Sequence, residues 1–145
     1  MKGEISNEKN YQEIGAFILR VVLGITFFVH GLTKFQSGLG GLAGWFQSMG
    51  IPGFMAYAIG TIELVGGIAL ILGLGTRIIS ALLIAIMVVA TLKVKLAAGF
   101  LGNGQGAGYE LEVALMVMAL HLALNGSSFL SLDSRLPFTK SAGSS

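Results

Sequence analysis

Four long apolar segments, separated by short polar or glycine-rich ones, dominate the hydrophobic pattern of the chain. They predict helices at residues 14–34, 54–74, 77–98 and 109–124. Residues 53–76 alone would form about 36 Å of helix, enough to cross a hydrocarbon core of about 30 Å. The pattern therefore predicts an all-α membrane protein, folded as a bundle of four transmembrane helices.

The segment between the first two predicted helices, residues 35–52, is too short and too rich in glycine to span a membrane. Its apolar residues nevertheless repeat on one helical face, and Trp45 is the residue type that favours the membrane–water boundary. We predict a short interfacial helix here, with an irregular loop as the alternative. Residues 99–108, GFLGNGQGAG, are expected to form a flexible connector.

The polar segments at the two ends of the chain define its domain organisation. Residues 1–13 are interpreted as a polar N-terminal tail, residues 14–126 as one transmembrane domain, and residues 127–145 as a loosely held polar C-terminal tail. Four crossings place both tails on one side of the membrane. The lysines and arginines on that side outnumber those on the other, which favours termini in the cytoplasm.

Composition supports a membrane protein and excludes several other classes. Hydrophobic residues make up 54% of the chain and charged residues 11%. The net charge of +2 is too small and too scattered for a nucleic-acid-binding surface. The chain has no cysteine, which excludes disulfides, thiolate chemistry and cysteine-ligated iron–sulfur clusters.

Ionisable residues inside the predicted helices are costly in lipid and therefore indicate a polar interior site. Glu63 lies about 14 Å from the start of its predicted helix and His121 about 16 Å from the start of the last one. Because both helices start on the same side, we expect the two groups at one depth, with Arg20 as the counter-charge of Glu63. A second polar group is expected nearer the membrane surface: His30, Lys34, Lys93, Lys95, Glu110 and Glu112.

Three interpretations of this interior group stay open. It could be a structural ion pair that keeps the bundle in register, a site for a polar ligand or quinone head group, or a proton or ion path. No metal site is predicted. His30 and His121 differ by about 10 Å in predicted depth, which argues against bis-histidine haem ligation.

Several separated motifs resemble those of the DoxX family of small four-helix bacterial membrane proteins, over about residues 15–133. The motifs are Leu19-Arg20, Gly24, Phe27-Phe28, His30-Gly31, Lys34-Phe35, Glu63, Gly66-Gly67, Leu72-Gly73, Thr76-Arg77 and Gly108-Tyr109-Glu110-Leu111-Glu112. The sequence is most similar to Bacillus-type members linked to catechol and quinone stress. The resemblance implies a multi-pass protein of the bacterial cell membrane.

The resemblance also implies a component of quinone-linked redox chemistry or of the detoxification of quinone- and catechol-like compounds. Whether the chain is an oxidoreductase or a subunit of one stays open. Glu63, His121 and His30 are the candidates for proton transfer. The expected ligand-binding residues are Arg20, His30, Lys34, Glu63, Glu110 and His121.

No cofactor is expected within the chain, although a quinone could bind between the helices. The expected partners are the lipid bilayer, a soluble oxidoreductase and further copies of the chain, and no nucleic acid. Two other functions remain alternatives. One is a non-catalytic membrane anchor for a soluble oxidoreductase, and the other is a small oligomeric transporter of aromatic compounds or ions.

Overall fold

A computed structural model describes residues 1–136 of the chain. Its five α-helices are α1 (Lys2–Ser37), α2 (Leu39–Ser48), α3 (Phe54–Leu72), α4 (Thr76–Ala90) and α5 (Glu110–Asn125). Helix α4 continues through a π-helical turn, Thr91–Lys95, and a 3-10 turn, Leu96–Ala98. A further 3-10 turn, Asp133–Arg135, follows α5. The predicted all-α architecture is confirmed.

Three helical stretches are long and apolar enough to cross a membrane, judged by length and composition: Lys2–Ser37, Phe54–Leu72 and Thr76–Ala98. Helix α5 has 16 residues, about 24 Å, and is shorter than each of these three stretches. Helix α1 begins 12 residues before the predicted start. The polar residues 2–13 therefore continue the helix as an exposed extension instead of forming a separate tail.

The bundle is built from two antiparallel helix pairs, α1 with α3 and α4 with α5, and α2 packs beside α3. Its core is filled by completely buried apolar side chains: Leu23, Phe27, Leu70, Leu83 and Leu122. One side of α1 is exposed, with Ile18, Val22, Ile25 and Val29 each about half accessible. Burial of one face and exposure of the other is the arrangement expected of a bundle in lipid.

Glycines let α1 and α3 approach closely at two levels. A Cβ atom added to Gly67 would lie 2.5 Å from the backbone nitrogen of Phe28, and one added to Gly31 would lie 2.5 Å from that of Leu64. No side chain fits at such distances. In lipid the hydrophobic effect does not drive helices together. Small residues at helix contacts stabilise the association instead, because they allow close van der Waals packing.

Replacing Gly67 by alanine is expected to force α1 and α3 apart and to lower stability by about 1–3 kcal/mol, the usual cost of overpacking. Gly15→Ala on α1 is the matched control, because an added Cβ there meets nothing within 4 Å. Thermal unfolding in detergent, followed by circular dichroism, measures both variants. Equal melting temperatures for the two would contradict the close contact at Gly67.

The first residues of the predicted C-terminal tail are not loosely held, which corrects the expectation. The backbone nitrogens of Leu132 and Asp133 donate to the carbonyl oxygens of Leu72 and Gly73, at 3.0 and 3.1 Å. These carbonyls are left without intrahelical partners at the end of α3, so the tail satisfies them. The other predicted tail residues, 137–145, lie outside the described part of the chain.

The glycine-rich connector is also ordered rather than flexible. The backbone nitrogens of Tyr109 and Glu110 donate to the carbonyl oxygens of Gly99 and Phe100, and the Asn103 side chain accepts from two backbone nitrogens within the loop. The aromatic rings of Phe100 and Tyr109 meet edge to face at 5.6 Å. The loop therefore holds the start of α5 against the end of the α4 extension.

Candidate functional site

Arg20 is completely buried, as predicted, but it does not pair with Glu63. Its guanidinium donates to the carbonyl oxygens of Phe129 at 3.1 Å and Leu130 at 2.9 Å, and to the hydroxyl of Ser127 at 3.2 Å. It also lies over the ring of Phe17, 5.1 Å from the centroid. Arg20 thus anchors the segment that follows α5.

The predicted Arg20–Glu63 pair is wrong because the two residues lie at different heights. Arg20 is level with Gly73, since a Cβ on that glycine would be 2.9 Å from an Arg20 nitrogen. Glu63 lies ten residues earlier on α3, about 15 Å away along the axis. We call these two levels the Arg20 end and the Lys34 end of the bundle.

At the Lys34 end, Lys34 is the partner of Glu63. The lysine ammonium donates to Oε2 of Glu63 at 2.6 Å. The side chain of Glu63 is 3% exposed, whereas that of Lys34 is 26% exposed. The lysine therefore connects a buried carboxylate to the surface of the bundle, and the close approach at Gly31 brings the two helices within its reach.

An open cleft of about 370 Å³ lies beside this ion pair, between the end of α1 and the start of α2. Its lining is Thr33, Lys34, Ser37, Gly38, Gly41, Leu42 and Trp45. It combines apolar and aromatic surface with one cation and two hydroxyls. Such a mixture is typical of sites for small, partly polar ligands, which usually range from about 300 to 1,000 Å³.

The other predicted site residues are dispersed. His30 is half-buried one turn before Lys34, with its ring 6.4 Å from that of Phe27. His121 and Glu110, on α5, are both exposed. The expected meeting of His121 with Glu63 is therefore wrong. The estimate fails because α5 packs mainly against α4, and the side of α5 that carries His121 is exposed.

A second ion pair joins Lys95 and Glu112, which were both expected in the polar group near the membrane surface but not as a pair. Lys95 ends the π-helical turn and donates to Oε1 of Glu112 in the first turn of α5. The glutamate side chain is 7% exposed and the lysine side chain 28%. Both pairs thus consist of a buried carboxylate and a lysine that is partly exposed. Within residues 1–136, no three His, Asp or Glu side chains gather as a metal-binding group.

Sequence reasoning missed two features of the site. Trp45 was placed at the membrane boundary but not in a cleft, since its position depends on how α2 folds back beside α1. Glu112 was expected in the polar group near the membrane surface, where an acid favours the positive end of the helix dipole, but not in a buried ion pair. Glu112 precedes the buried residues Leu115 and Ala119 by three and seven residues, so all three lie on one face of α5. This spacing was the available signal that Glu112 is buried.

Together, the apolar helices, the glycine-mediated contacts and the buried ion pairs define a multi-pass helical membrane protein. The family model DoxX matches residues 15–96, more than half of the chain. The chain belongs to the DoxX family. No solved structure gives a significant match.

Three curated relatives support this assignment. The "Putative oxidoreductase CatD" of Bacillus subtilis is 49% identical over 121 residues, which cover 83% of this chain and 86% of the relative. An uncharacterized membrane protein of Mycobacterium tuberculosis is 33% identical, covering 81% and 78% of the two chains. The inner membrane protein YqjF of Escherichia coli is 32% identical over 48% of this chain and 52% of its own length.

Proposed function

We propose that this protein is a membrane component of quinone-linked redox or detoxification chemistry, which binds the head group of a quinone or catechol in the cleft beside Lys34. The observation that carries the proposal is Lys34, which lines the cleft and donates to the buried carboxylate of Glu63. The name of the Bacillus subtilis relative, an oxidoreductase, is in keeping with it.

The chemistry of the cleft suits this class of ligand. The Lys34 ammonium can donate a hydrogen bond to a quinone carbonyl oxygen or to a catechol oxygen. Trp45 and Leu42 supply aromatic and apolar surface for the ring. Electrons would be exchanged with a partner oxidoreductase, and this chain would bind and orient the aromatic compound.

Trp45 makes the proposal directly testable, because it is the single tryptophan of the chain and lines the cleft. Titration of the purified protein with 2-methyl-1,4-naphthoquinone is expected to quench its fluorescence saturably. The affinity should fall at least tenfold in Lys34→Met, which loses the donor, and in Glu63→Gln. Circular dichroism must show that each variant remains helical.

Collisions with quinone dissolved in the micelle also quench fluorescence, so a second reporter is needed. The double variant Trp45→Phe/Val117→Trp places the tryptophan on an exposed position of α5. Its quenching should rise linearly, without saturation. Linear quenching of Trp45 itself, or a saturable curve that Lys34→Met leaves unchanged, would overturn the proposal.

The anchor function remains a second candidate, because the exposed helical extension 2–13 offers a surface to a soluble protein. An anchor alone would show no saturable quinone binding, so the same titration separates the two functions. Transport through one copy is disfavoured, since apolar side chains fill the middle of the bundle. We place the protein in the bacterial cell membrane with both termini in the cytoplasm, on the charge bias alone.

A further inference from the structure

Arg77, in the first turn of α4, presents an exposed guanidinium that is held in place but largely unused. Its Nη2 donates to the carbonyl oxygen of Asn125 at 3.3 Å, and a Cβ atom added to Gly126 would lie 3.0 Å from its Nε. The group therefore rests against the end of α5. Its other N–H donors have no acceptor within residues 1–136, so they are available to a ligand.

No carboxylate of the described chain neutralises this cation. Neither of the two salt bridges within residues 1–136 includes Arg77. Asp133 accepts from the backbone nitrogen of Thr76 at 3.3 Å and interacts electrostatically with the buried Arg20, so its charge is directed elsewhere. Arg77 thus keeps a positive charge that an anion can balance.

His121 supplies a second hydrogen-bond donor close by. The side-chain nitrogen of Asn125 donates to the carbonyl oxygen of His121 at 3.1 Å and lies 3.5 Å from Nδ1 of its ring. An amide nitrogen only donates, so Nδ1 is the acceptor and Nε2 carries the proton of the neutral ring. Arg77 and His121 both contact Asn125 and both are exposed. We call these three residues the Arg77 patch.

The Arg77 patch lies at the membrane boundary and has apolar neighbours. Arg77 is the second residue of Thr76–Ala98, a stretch long and apolar enough to cross a membrane. The side chains next to it, Ile78 and Leu124, are 71% and 67% exposed. A cation and a neutral donor beside uncovered apolar side chains match a phospholipid, in which a phosphate adjoins acyl chains.

We propose that the Arg77 patch binds the phosphate group of an anionic membrane phospholipid. The guanidinium of Arg77 and Nε2 of His121 donate to phosphate oxygens, and the acyl chains lie against Ile78 and Leu124. A lipid with net negative charge is favoured over a zwitterionic one, because the charge of Arg77 is not balanced within the described chain. The site lies at the Arg20 end of the bundle, so it does not depend on the cleft or on the proposed function.

Thermal unfolding of the full chain in a non-ionic detergent, followed by circular dichroism, tests this site. A ligand that binds only the folded protein raises its melting temperature saturably. Increasing the mole fraction of phosphatidylglycerol in the micelle is expected to give such a rise, and phosphatidylcholine at the same mole fraction is not. Inorganic phosphate, compared with chloride at equal ionic strength, should not reproduce it, which separates a lipid from free phosphate.

Variants of the patch then locate the contact. In Arg77→Gln the mole fraction of phosphatidylglycerol that gives half of the rise should increase about fivefold, the contribution of one arginine to anionic-lipid binding. Lys93→Gln is the matched control, because it removes the same charge from an exposed position beyond the other end of α4. It should leave the affinity unchanged. His121→Leu removes the second donor at constant net charge and should weaken binding about threefold.

The proposal is overturned if phosphatidylglycerol and phosphatidylcholine raise the melting temperature alike, or if inorganic phosphate replaces the lipid. It is also overturned if Arg77→Gln weakens binding no more than Lys93→Gln does. The melting curve of each variant without lipid shows whether it is folded. Arg77→Lys keeps the positive charge and should bind more tightly than Arg77→Gln, and equal affinity of these two variants would contradict a charge-based site.

Discussion

Substitution of Arg20 by methionine is expected to destabilise the protein by about 3–5 kcal/mol and to release the segment after α5. The guanidinium donates to three carbonyl oxygens and one hydroxyl of that segment. Each buried acceptor that loses its donor costs about 1–3 kcal/mol. The total loss of stability is smaller than the sum of these costs, because the released carbonyl oxygens can accept hydrogen bonds from water.

Two measurements separate release of the segment from general unfolding. Hydrogen exchange of the backbone nitrogens of Leu132 and Asp133 should accelerate in Arg20→Met, since both are bonded to the end of α3. Helix α5 should stay protected. Arg77→Met is the matched control, because that arginine is exposed and makes a single bond of 3.3 Å to the Asn125 carbonyl. Equal exchange in the two variants would contradict the anchoring role.

Lys34→Met is expected to cost about 3–5 kcal/mol, because it leaves the carboxylate of Glu63 buried without a counter-charge. Glu63→Leu should cost less, since the abandoned lysine is already 26% exposed and can extend to the surface. The double variant Lys34→Met/Glu63→Leu should recover most of the loss. The two single substitutions are thus predicted to be unequal and non-additive.

The coupling energy between Lys34 and Glu63 is measured by thermal unfolding in detergent. The four proteins compared are the wild type, the two single variants and the double variant. Lys93→Met is the control for loss of a lysine at the same end, because Lys93 is exposed. It should change the free energy of unfolding by less than about 0.5 kcal/mol. If Lys34→Met lowers the free energy of unfolding as little as Lys93→Met does, the ion pair contributes nothing to stability. The proposed site at the cleft then loses its structural basis.

The identity of the helices could be predicted because it depends on local properties. An apolar run of about 20 residues needs its backbone hydrogen bonds satisfied internally, and a helix achieves this without any partner. The exposed side of α1 and the burial of Arg20 and Glu63 follow from the same argument, because a charged group avoids lipid.

The pairing of these charges could not be predicted, because periodicity places residues only within their own helix. Lys34 meets Glu63 since Gly31 lets α1 approach α3, and the relative height of the two helices is set by that contact. His121 was expected beside Glu63 because the two residues have the same predicted depth, but α5 packs mainly against α4 and its His121 side is exposed.

The sequence by itself determined that this is an all-α membrane protein of the DoxX family, with acids and bases kept inside its bundle. Only the tertiary structure decided which of them meet: Lys34 with Glu63, Lys95 with Glu112, and Arg20 with the carbonyl oxygens of the chain after α5. The physical reason is that burial is a property of one helix face. Pairing depends on the relative translation and rotation of neighbouring helices. A backbone carbonyl acceptor cannot be recognised in the sequence, because every residue has one.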